Sequence, residues 1–75
     1  CKGEGHYEES IERLSALIKN DPKNYRLYID LADSYLKLNQ RQKAIEALES
    51  FQKLGIRSQA INESLEKVRN NKSLS

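Results

Sequence analysis

Laid on itself with a shift of 34 residues, the chain matches its own helical pattern. Ser10 meets Ala44, Ile11 meets Ile45, Glu12 meets Glu46, Leu14 meets Leu48 and Leu17 meets Phe51. Gly5 meets Asn39, both read as helix–helix turn positions. A repeat of that length holds two helices and a turn. Such a unit cannot bury its apolar faces alone, so it stacks on its neighbours. This constrains the chain more than any other feature.

Composition agrees with an all-α fold. The 75 residues hold one Val, no Thr, one Phe and no Trp, so strand formers are scarce. Leu, Ile, Val and Phe total 18, and the net charge is only +2, which argues against disorder. A chain this short has a thin core and is marginal alone. No apolar run approaches the roughly 18–20 residues that span a bilayer. One Cys and one His exclude a disulfide framework and a dedicated Cys/His zinc site. No phosphate loop, dinucleotide fingerprint or nucleophile elbow is present. The mild charge excludes a strongly basic nucleic-acid surface.

Four segments carry helical periodicity. In segment one, about 6 to 19, Tyr7, Ile11, Leu14 and Ile18 form an apolar stripe beside Leu17. Asp21-Pro22 stops it. Segment two, about 25 to 38, follows Asn24 as N-cap, carries Leu27, Tyr28, Leu31, Ala32, Tyr35 and Leu38, and ends at Asn39. Segment three, about 41 to 54, carries Ala44, Ile45, Ala47, Leu48, Phe51 and Leu54 and stops at Gly55. Segment four, about 58 to 70 with Ser58 as N-cap, has a thinner stripe of Ala60, Ile61, Leu65 and Val68. The tail is expected to fray. Short connections predict antiparallel hairpins.

From these residues the chain resembles the tetratricopeptide repeat family. Tyr25 to about Gln59 is similar to one complete repeat. Tyr28 stands for the family's Trp, Leu31-Ala32 for its Leu-Gly, Tyr35 for its Tyr and Ala44 for its small residue. Leu48 stands for its large apolar residue. The resemblance divides residues 1–70 into the second half of a repeat (1–22), a complete repeat (23–56) and a capping helix (57–70). A frayed tail of 71–75 follows. It implies that the helices cross where Ala32 and Ala44 sit, since only small side chains allow close approach. Three departures stand out. Phe51 is bulky where the family has Ala, which is expected to alter the contact with the next helix. Ile56 replaces a Pro. Asn62, Glu66 and Arg69 replace aromatic, small and aromatic residues, which suggests a cap.

The register places the last turn of a preceding helix at Cys1 to Glu4, and the chain has no Met. Three origins are consistent with this. The chain is a piece of a longer array, the mature form of a bacterial lipoprotein acylated at Cys1, or a chain whose Cys1 was added during cloning. The cytoplasm is favoured, or the bacterial envelope if Cys1 carries lipid.

The resemblance implies a non-catalytic scaffold or adaptor that binds a protein or peptide segment, without cofactor or metal. An envelope lipoprotein component and a regulatory piece of a larger enzyme are the alternatives. In this family the first helix of each repeat lines a concave face. Here Arg26, Ile29, Asp33, Leu36 and Lys37 point there, with Asp30 at the edge. Ile29 and Leu36 read as exposed apolar residues at i, i+7, suited to an amphipathic or mixed-charge peptide. Members that clamp a C-terminal carboxylate carry Lys and Asn where this chain has Ile29 and Asp33, and an Asp repels a carboxylate. His6 reads as a turn residue and Asp30 and Asp33 as a polar face. Nucleic acid and membrane insertion are not expected. Self-association through the apolar face of residues 7–18 is.

Overall fold

The computed structural model describes residues 5–72, which form four α-helices in antiparallel succession. They are α1 (Gly5–Asn20), α2 (Tyr25–Lys37), α3 (Arg41–Lys53) and α4 (Gln59–Arg69). The described residues contain no strand. The helices stack into a slab of 38 × 30 × 17 Å.

Local chemistry sets each boundary. After α1 the chain turns through Pro22, and the Asn24 N–H donates to the Asp21 carbonyl at 3.2 Å. That is a β-turn with Pro at its favoured second position. Asn24 is the N-cap of α2, and its Oδ1 accepts from the Arg26 N–H at 3.1 Å. Asn39 closes α2 with φ 61°. The Asn39 N–H donates to Leu36 O at 3.0 Å and the Gln40 N–H to Tyr35 O at 2.8 Å, the paired bonds of a Schellman motif. Gly55, at φ 86°, ends α3 with a bond from its N–H to Gln52 O at 3.1 Å.

Three local expectations change. Ser58 is the N-cap of α4 in extended conformation, but its side chain makes no capping bond. Gly5 is already helical, so its match with Asn39 is not one of two turns. The sequence predicts a frayed tail over 71–75, of which the first two residues are described. Instead Asn71 adopts φ 60°, its N–H donates to Val68 O at 3.0 Å, and the Lys72 N–H reaches Lys67 O at 2.6 Å. These bonds repeat the Schellman motif of Asn39, because free carbonyls at the end of α4 need partners. Residues 73–75 lie outside the described ones.

The core lies between α2, α3 and α4. Tyr28, Ala32, Ala44, Leu48, Phe51, Ile61, Leu65 and Val68 form one buried cluster. Ala32 and Ala44 have no exposed surface. The Tyr28 and Phe51 rings meet edge to face with centroids 5.1 Å apart. Thus Phe51 fills the interior where the family usually has Ala. The thin stripe of α4 is fully used: Ile61 and Val68 are both sealed from solvent. Helix α1 packs only on α2. Its stripe of Tyr7, Ile11, Leu14 and Ile18 is half-buried, and Leu17 remains 44 % exposed.

Candidate functional site

The residues expected to meet a partner are all on α2. Positions 26, 30, 33 and 37 recur at three- and four-residue spacing, so their side chains form one stripe along the helix. Arg26, Asp30 and Lys37 are exposed, and Asp33 is half-buried. Ile29 and Leu36 differ from expectation. Both are half-buried and pack against the core cluster rather than standing free. The reason is α4, which lies against both α2 and α3. A face that looks open when α2 is read alone becomes the flank of a three-helix core.

The structure divides the expected residues between two shallow hollows. Asp33, Leu36 and Lys37 line one of about 250 Å³ with Asn71 and Lys72. Asp30 and Asp33 line the other, of about 300 Å³, with Ser34 of α2 and Ser10, Arg13 and Leu14 of α1. Arg26 and Ile29 lie outside both. Asp33 therefore borders the two hollows, with the turn after α4 on one side and α1 on the other. Sequence reasoning missed the contributions of Asn71 and Lys72, because it treated the tail as frayed. It also missed Ser10 and Arg13, which have no motif.

Polar links along the outer edge hold α4 to α3. Gln52 Nε2 donates to Asn62 Oδ1 at 2.7 Å, and Arg69 approaches Glu49 at 3.6 Å. Asn62 and Arg69 are two of the residues that depart from the family pattern. Here they serve as edge contacts rather than as core aromatics. No buried side-chain polar atom among the described residues lacks a partner.

Among the described residues no group of three His, Cys, Asp or Glu is placed to hold a metal. His6 is exposed in the first turn of α1. Cys1, the proposed lipidation position, lies outside the described residues. No helix among the described residues is long and apolar enough to cross a membrane.

Two-helix units, Ala32 and Ala44 sealed in the core and a 34-residue register define a repeat geometry. The family model described as tetratricopeptide repeat matches residues 3–53. The chain belongs to the tetratricopeptide repeat family. The match runs through α1, α2 and α3 and stops before α4. Comparison with curated proteins and with solved structures gave no match. Tetratricopeptide repeats are in general non-catalytic helical modules for protein interaction.

Proposed function

We propose that this tetratricopeptide module is a scaffold or adaptor that seats a mixed-charge peptide segment along α2. The single observation that carries the reading is the hollow where Asp33, Leu36 and Lys37 meet Asn71 and Lys72. It offers an anion, two cations and a partly exposed apolar side chain in one place. Arg26 and Asp30 extend the alternation of charge along the same helix. Such a surface favours a partner with both charge signs and one apolar anchor. The repulsion between Asp33 and a terminal carboxylate supports an internal segment rather than a chain end.

The half-burial of Ile29 and Leu36 dictates how this is tested. Replacing them with Asp would strike the core as well as the surface. The exposed cations are the better probes. Peptides selected from a display library on the immobilised chain are expected to shift the amide resonances of Asp33, Leu36, Lys37 and Lys72. Arg26→Glu combined with Lys37→Glu is expected to weaken those peptides at least tenfold with unchanged helical circular dichroism. Peptides that shift only residues of α3, or that ignore the double reversal, would overturn the reading.

A further inference from the structure

One end of the slab carries charge that folding does not explain. The turn after α1 and the loop between α3 and α4 share this end, because the helices alternate in direction. Across residues 19–26 and 53–59 the cations Lys19, Lys23, Arg26, Lys53 and Arg57 stand against the carboxylate of Asp21, all of them exposed. Lys19 and Lys53 are in the last turns of α1 and α3, where a cation offsets the negative end of the helix dipole. Lys23, Arg26 and Arg57 have no such role. Lys23 and Arg26 flank the start of α2 and Arg57 precedes that of α4, where the dipole favours anions. Neither first turn holds an acidic residue. No ion pair engages any of these cations among the described residues.

The same end presents apolar side chains. Tyr25 lies three residues before Tyr28, and Leu54 three residues after Phe51, one turn nearer this end than the ring contact in the core. They are 42 % and 48 % exposed. The hollows of the slab are lined by residues elsewhere. A partner here meets projecting side chains and is not seated in a groove. Gly5 and Lys72, the first and last described residues, are both at the opposite end. Repeats that stack on α1 or α4 would leave these turns at the rim of the array.

We propose that this basic end docks on an anionic lipid surface. Lys23, Arg26, Lys53 and Arg57 meet the headgroup phosphates and carboxylates, and Tyr25 and Leu54 enter the headgroup layer between them. The contact is peripheral, since no helix among the described residues is long and apolar enough to cross a membrane. Cations alone would suit any polyanion. The two projecting apolar side chains favour lipid, because a Tyr ring is at home where headgroups meet hydrocarbon. Docked this way, the helices rise from the surface and the far part of the α2 stripe stays accessible. Arg26 begins that stripe and belongs to both surfaces, so Lys23 and Arg57 are the cleaner probes.

Co-sedimentation of the full chain with vesicles tests this. Binding to vesicles of phosphatidylcholine and phosphatidylserine is expected, with release at raised salt and no binding to phosphatidylcholine alone. Lys23→Glu combined with Arg57→Glu is expected to weaken binding at least tenfold. Arg41→Glu combined with Lys43→Glu makes the same change in net charge at the opposite end and is expected to weaken it by at most about threefold. Tyr25→Ser combined with Leu54→Ser is expected to cost at least tenfold at constant charge, with helical circular dichroism unchanged. A chain that ignores anionic vesicles would overturn the proposal. So would equal losses from the two charge pairs, which would assign binding to net charge. Binding that is indifferent to the Tyr25 and Leu54 changes and is matched by single-stranded RNA would assign the end to polyanions in general and also overturn it. The comparison of the two charge pairs holds even if the apolar changes disturb the fold.

Discussion

Ala32 and Ala44 have no exposed surface, and both lie in the cluster that joins α2 to α3. At such a site extra methyl groups force neighbouring side chains off their rotamers. Ala32→Leu is expected to destabilise by about 1–3 kcal/mol, read from the urea midpoint. A neutral result would mean that the two helices do not cross there. Asn39 illustrates a different control, exerted by the backbone. Its φ of 61° is in the left-handed region, where a Cβ costs roughly 1–2 kcal/mol and Gly has no such penalty. Asn39→Gly is therefore expected to raise the melting temperature, and Asn39→Val to lower it. Both sites were foreshadowed by the sequence, the Ala pair through the family resemblance and Asn39 as a stop signal. Ile29 and Leu36 were not. The core cluster that they pack against includes Ile61, Leu65 and Val68 of α4, far along the chain, so no local window reveals the half-burial.

The helices themselves follow their local sequence closely. Caps, Pro22 and Gly55 put the ends within a residue or two of where periodicity predicts them. Helix contributions to stability do not follow in the same way. Two of the four largest sealed side chains, Ile61 and Val68, come from α4, the segment with the thinnest stripe. Helix α1 has a stripe as regular as any and seals none of its side chains. Ile61→Ala is expected to cost about 2–5 kcal/mol, the range for a large-to-small change in a core. Leu17→Ala is expected to stay within about 0.5 kcal/mol in the monomer, as for other surface changes. Guanidinium unfolding of the two variants under dilute conditions compares them directly. Equal losses would contradict the unequal coverage of α1 and α4. The Arg69–Glu49 pair is exposed on both sides, so Arg69→Ala is expected to change stability by at most about 1 kcal/mol.

At the scale of the molecule, a 75-residue chain has roughly 4–11 kcal/mol of stability in total. Among the described residues Phe51 is the largest sealed side chain, and its ring meets that of Tyr28 in the core. Phe51→Ala is expected to cost about 3–5 kcal/mol, a large fraction of that total. A measurable unfolded population at 37 °C, seen by circular dichroism or amide exchange, is the expected outcome.

By itself the sequence determined the class of fold, the four helices, their ends and the repeat that relates them. These are short-range properties. A stripe, a cap or a left-handed stop is specified within a few residues. Only the tertiary structure decided which apolar faces become interior. It drew Ile29 and Leu36 into the flank of the core, made α4 a full member of it and left Leu17 in solvent. The physical reason is that burial depends on which helix lies opposite, and that helix is specified elsewhere in the chain. The equivalent faces of α1 and α3 therefore share a pattern and differ in role: two helices cover one, and one helix covers the other.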